Sequence, residues 1–132
     1  MKRPGENFVG ITIPSYGENA ARFFNFDLDD FRNMQKATHA TAVSKGWWDE
    51  PRETGACVAL MHSELSEALE AAREGNPPDH HCPEHSSLAI ELADTIIRIM
   101  DFAEHEELDL ASAIAAKMKF NATRPHKHGK EF

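Results

Sequence analysis

The stretch Thr54-Gly-Ala-Cys-Val-Ala-Leu-Met-His-Ser-Glu-Leu-Ser-Glu-Ala-Leu-Glu-Ala-Ala-Arg-Glu74, followed by Gly75-Asn76-Pro77-Pro78, decides the fold class. Alanine, leucine and glutamate dominate it, all of them strong helix formers, and the glycine and two prolines stop it abruptly. After a polar loop, Asp79 to Ser87, a second helix is expected from Ser87 to about His105, where Leu88, Leu92, Ile96, Ile97 and Met100 form a wide apolar face. Upstream, Asp29 or Asp30 can cap a helix whose Phe31, Met34, Thr38, Thr41 and Ala42 recur at helical spacing until Lys45-Gly46. Downstream, Asp109 can cap a fourth helix with a Leu110, Ala113, Ile114, Met118 stripe, ending near Ala122 ahead of Pro125. Four helices without a convincing central strand predict an all-α domain over residues 27–125. Residues 126–132 are left as a basic tail.

Residues 1–26 read differently. Pro4, Gly5, Gly10, Pro14 and Gly17 punctuate them too often for a helix, leaving a short β-like run from Phe8 to Ile13 in an extended arm. Tyr16, Phe23, Phe24 and Phe26 would be costly in water, so the arm is expected to pack on the domain or on a second subunit. The 132 residues carry 14 Lys and Arg against 22 Asp and Glu, a net charge of −8, with 41% hydrophobic residues, enough for an ordinary core. So acidic a chain is unsuited to coating a nucleic acid polymer by bulk charge and better matched to a cation. Cys57 and Cys82 make no disulfide framework, and no apolar run approaches the ~18 residues of a membrane span or the core of a signal peptide. A soluble, cytoplasmic protein is the expectation.

Chemistry concentrates in two acidic pairs. Glu64-Leu-Ser-Glu67 and Glu91-Leu-Ala-Asp94 each set two carboxylates three residues apart, on one helix face. If the two helices pack antiparallel, four carboxylates converge, and their repulsion calls for cations between them. Hard oxygen donors without thiolate select Mg²⁺, with Mn²⁺ as a substitute. Acids at helical spacing can equally be a solvated face, but Glu64 lies between Met61 and Ala68, and Glu91 between Ile90 and Leu92, which such a face does not need. Near the C-terminus the charge reverses: Lys117, Lys119, Arg124, Lys127 and Lys130 face only Glu131, and Lys117, Asn121 and Arg124 line one helix face. Those donors suit a polyphosphate, although cations at a helix C-terminus also simply offset the dipole. An acidic cation site beside a cationic row suits hydrolysis of a phosphoanhydride.

These residues resemble the all-α nucleoside triphosphate pyrophosphohydrolases, the MazG-like superfamily, whose signature is EExxE, a gap, then ExxD. Ser63-Glu64-Leu65-Ser66-Glu67 and Glu91-Leu92-Ala93-Asp94 match it in order, with residues 68–90 between. The segment from His39 to Trp47-Trp48 is similar to the base pocket of the dCTP pyrophosphatase branch, and Lys117 to Pro125 to that branch's phosphate-contacting last helix. The resemblance covers about residues 30–125. It implies a four-helix MazG-like bundle, Mg²⁺ ligation by Glu64, Glu67, Glu91 and Asp94, substrate contacts from His39, Trp47, Trp48, Arg98, Lys117, Asn121 and Arg124, and cleavage of a (d)NTP between the α and β phosphates, as in nucleotide-pool house-cleaning. Ser63 departs from the signature, so Glu64 or Glu67 is expected to activate the attacking water, with Asp101 a weaker candidate. Arg98 stands where dCTP-specific relatives carry an aromatic residue, so their base preference does not transfer.

Of the two tryptophans, Trp48 is expected to stack on a base and Trp47 to pack at the helix end. His80, His81, Cys82 and His85 could hold zinc, but their spacing fits no strong signature. Small size and long apolar faces argue for a homodimer or homotetramer. The alternatives are a phosphoribosyl-ATP pyrophosphohydrolase and a non-catalytic helical interaction module.

Overall fold

The computed structural model describes residues 8–12 and 23–131. The protein is all-α, with α1 Leu28–Ser44, α2 Thr54–Arg73, α3 Ser87–His105 and α4 Leu110–Ala122, and a short 3-10 turn at His126–Gly129. Ahead of α1, β1 (Phe8–Thr12) pairs antiparallel with β2 (Phe23–Asp27), Phe8 opposite Asp27 and Thr12 opposite Phe23. The N-terminal segment is therefore more than a single extended run: its Phe-rich second half is the partner strand of the first. Tyr16, and the remainder of residues 1–7 and 13–22, lie outside the described residues.

The contacts divide into two units. One contains the described residues up to Asn33 together with those from Asp109, and the other is Met34–Leu108, so α1 runs from one into the other. In the first unit β1 packs against α4. Asp27, rather than Asp29 or Asp30, caps α1: its Oδ1 accepts from the Asp29 amide at 2.9 Å, because the strand ends on it and the helix begins at the next residue. The Arg32 guanidinium donates through Nε and Nη2 to both carboxylate oxygens of Asp109, at 3.1 and 2.7 Å, while Asp109 Oδ1 caps α4 by accepting from the Ser112 amide. The fork from Arg32, reinforced by the cap, holds the Asp109 carboxyl below the usual range.

The second unit carries the candidate site. α1 ends in a Schellman turn, with Trp47 N–H donating to Ala42 C=O and Gly46 N–H to Val43 C=O. Gly46 sits at φ +83°, and a Cβ there would lie 2.9 Å from Asp49 Oδ2, so this turn requires glycine. α2 ends the same way at Gly75 (φ +83°) and Asn76 (φ +54°). Asn76 Oδ1 then accepts from the Leu88 amide, and the Ser87 amide donates to Pro77 C=O, both near 2.9 Å or closer, stitching the end of α2 to the start of α3. With Glu64 paired to Arg98 and Asn76 to Leu88, the two helices run antiparallel.

Small or slender side chains are the buried ones on both helices: Cys57, Ala68 and Ala71 of α2, and Thr95, Met100 and Ala103 of α3. This corrects the expected apolar face of α3. Met100 is 3% exposed, but Leu92, Ile96 and Ile97 are 44–51% exposed. The apolar residues of α3 encircle too much of the helix for α2 alone to cover.

Candidate cation and ligand cleft

Glu64, Glu67 and Glu91 come together. One carboxylate oxygen from each lies within 4.8 Å of the others, two from adjacent turns of α2 and one from α3. Glu64 is buried, Glu91 half-buried and Glu67 exposed, so the group opens outward at Glu67. Asp94 lies outside this triplet, one turn further along α3 with a side chain one methylene shorter, beside Glu64 on the wall of the cleft. Burial, then the carboxylates of Glu67, Asp94, Glu64 and Asp79, push the Glu91 carboxyl up. Asp94 is likewise pushed up by burial and by Glu64, against the opposing charge of Arg98. Ser63 donates its hydroxyl to Leu60 C=O at 2.7 Å and so turns back onto its own helix.

Of the triplet, Glu64 lines a cleft of about 400 Å³. Its walls combine the acids Glu64, Asp94 and Asp101 with the cations Lys45, Arg52 and Arg98, and Trp47 contributes an aromatic face. Arg98 Nε donates to Glu64 Oε1. The Arg52 guanidinium lies 5.5 Å from the ring centroids of both Trp47 and Trp48, and Arg98 lies 5.9 Å from that of Trp47.

Behind the cleft, Asp101 Oδ1 accepts from Trp48 Nε1 at 2.8 Å and pairs with His39 Nδ1 at 2.7 Å. A carboxylate oxygen accepts, so Nδ1 is the ring nitrogen that donates in this pair. Trp48 also stacks on His105, centroids 3.7 Å apart and planes 14° from parallel. The placement of the tryptophans is the reverse of the expected one: Trp47, 54% exposed, lines the cleft, and Trp48 is tied to Asp101 and His105. An indole N–H removed from water needs an acceptor, and Asp101 supplies one only to Trp48.

Lys117, Asn121 and Arg124 belong to the other unit, on α4 and just beyond it, where Lys117 and Arg124 approach the Phe120 ring at 4.8 and 5.7 Å. Within Met34–Leu108 the cations lining the cleft are instead Lys45, Arg52 and Arg98, and sequence reasoning missed the first two. Their signal is the run Lys45-Gly-Trp-Trp-Asp-Glu-Pro-Arg52, which brackets an aromatic pair with cations. Asp79 was missed as well. It is buried, accepts from the His81 and Cys82 amides at 2.8 and 2.7 Å, and is held below the usual carboxylate range by those bonds. Among the described residues no metal-competent group forms in the His80–His85 loop, and Cys57 and Cys82 are free thiols. No described helix is long and apolar enough to cross a membrane.

No family model, curated protein or solved structure matches this chain.

Proposed function

We propose that this protein is a divalent-cation-dependent nucleoside triphosphate pyrophosphohydrolase of the MazG-like kind, splitting a (d)NTP into NMP and pyrophosphate to clear surplus or non-standard nucleotides. The observation that carries the reading is the approach of Glu64, Glu67 and Glu91 to within 4.8 Å, with Glu64 also lining a cleft that offers cations and an aromatic face. The donor set fits the implied cation: all three groups are carboxylates, with no thiolate or imidazole among them, which favours Mg²⁺ or Mn²⁺. Glu64, Glu67 and Glu91 would hold it, with Asp94 beside them. When bound, the cation supplies neutralisation of phosphate charge.

The chain's own groups divide the remaining work. Trp47 lines the cleft and is assigned to stack on the base, and Lys45 and Arg52, which line it too, are assigned to the phosphate oxygens. Water attacks the α-phosphorus, its O–P bond forms as the bond to the bridging oxygen breaks, and pyrophosphate leaves. Glu67 is the fitting acceptor for the water's proton: it is the exposed member of the triplet, whereas Glu64 is buried against Arg98. Asp101 serves the cleft as the anchor of His39 and Trp48 rather than as the base.

The functional unit in this reading is a four-helix MazG-like bundle assembled as a homodimer or homotetramer. Its support is the exposed apolar surface: Val58, Leu65 and Leu69 recur along one face of α2, and Leu92 and Ile96 along α3, all 39–51% exposed.

Incubation with Mg²⁺ and a panel of common and modified (d)NTPs, with products separated, tests the activity. NMP and pyrophosphate, lost in Glu67→Ala, are expected. A product set of NDP and orthophosphate, or turnover unchanged in Glu67→Ala, would contradict the reading, and cleavage of phosphoribosyl-ATP alone would move it to that substrate.

A further inference from the structure

We propose that Arg98 is a built-in counter-ion of the carboxylate triplet, holding Glu64 until a divalent cation takes that carboxylate from it. The inference rests on the cation reading above and deepens it: it concerns how the site stands before the cation arrives.

Glu64 is the most deeply placed of the three glutamates, its side chain 8% exposed. A carboxylate so buried is costly without a partner, and Arg98 Nε, donating to Oε1, is the partner it has. Arg98 follows Glu91 and Asp94 on one face of α3, and its own side chain is 30% exposed. It is the more solvent-accessible half of the pair and lines the cleft, with Trp47 within 5.9 Å of its guanidinium. Glu67 has no such partner among the described residues, so the protein's own positive charge is placed on the one member of the triplet that burial makes dependent on it. Arg98 engages only Oε1, but its positive charge beside Glu64 opposes a divalent cation at either oxygen of that carboxylate. Cation binding and the ion pair therefore compete for the charge of Glu64, and in this proposal release of Arg98 resolves the competition, so that the free energy of the ion pair is subtracted from apparent cation affinity.

Two readouts that need no turnover test this. In calorimetric titration with Mn²⁺ alone, Arg98→Met is expected to bind roughly tenfold more tightly than the wild type, and Arg98→Lys to fall between them. In thermal unfolding, Arg98→Met is expected to melt below the wild type without Mn²⁺, because Glu64 loses its partner, and the gap is expected to close at saturating Mn²⁺. Equal or weaker Mn²⁺ binding by Arg98→Met, with wild-type binding intact and lost in Glu91→Gln, would overturn the proposal and leave the cation site standing. A melting gap that persists at saturation would also overturn it. Mn²⁺ binding by neither protein would overturn the cation reading itself and this inference with it. Should Arg98→Met fail to fold, Arg98→Lys with Arg98→Met/Glu64→Gln decides. The double variant, which no longer buries an unpaired charge, is expected to recover the wild-type melting temperature without Mn²⁺, and a double variant no more stable than Arg98→Met would overturn the pairing.

Discussion

Trp47 and Trp48 are adjacent in the chain and do different work, and the difference is set by one acceptor. Asp101 takes the Trp48 N–H, and His105 takes its ring face, leaving Trp47 to the cleft. Trp47→Ala is therefore expected to raise KM about tenfold by removing base stacking, with little change in melting temperature. Trp48→Ala should do the reverse, lowering the melting temperature, and steady-state kinetics with thermal unfolding of both variants checks the split. The sequence made both tryptophans visible as candidates but could not order them, because Asp101 lies 53 residues from Trp48 and its role exists only after folding. Lys45 and Arg52 were hidden for a related reason: charged residues around a turn look solvated until the turn wraps them onto a cleft. Asp109 carries a pH dependence. Arg32 and the α4 cap hold its folded pKa below the unfolded value, so its contribution is present above the unfolded value and is lost as pH falls through the folded one. Asp109→Asn should flatten the acid limb of a melting temperature against pH profile, and its stability cost at neutral pH should stay near 1 kcal/mol, because the side chain is half exposed.

Helix boundaries were legible at the level of the element, and physical signals at both ends explain why. α3 begins after Ser86, whose side chain accepts from the Ala89 amide, and α2 stops where Gly75 and Asn76 take left-handed conformations. The pairing of β1 with β2 was not legible, since the partner strand reads as an aromatic cluster ahead of a helix. The make-up of the core was not legible either. Leucine and isoleucine advertise a core, yet alanines make this one, because close helix approach rewards the absence of a side chain. Ala103, 2% exposed, is the position where that matters most. Ala103→Leu is expected to cost about 1–3 kcal/mol by overpacking. Denaturant unfolding of this variant reads the effect.

For the whole molecule, the surface apolar residues are the main unspent resource. Among the described residues no large side chain is completely buried, while Leu65, Leu69 and Ile96 are each about half exposed. Light scattering is expected to report a dimer or tetramer, and Leu69→Glu to dissociate it. A monomeric wild type would remove the assembly from the account. The acidic pairs were legible from spacing alone, since Glu64 with Glu67 and Glu91 with Asp94 mark their faces without any fold. What spacing could not fix was membership. Three glutamates meet, Asp94 stands beside them, and Arg98 occupies the deepest of the three.

The central claim is that acids from α2 and α3 form one cation site, and it is tested most directly by thermal unfolding of the wild type and Glu91→Gln with and without millimolar Mg²⁺. A converged site is expected to raise the wild-type melting temperature by mass action, with the rise lost in Glu91→Gln and not reproduced by NaCl of equal ionic strength. An equal rise in Glu91→Gln, or one matched by NaCl, would contradict it.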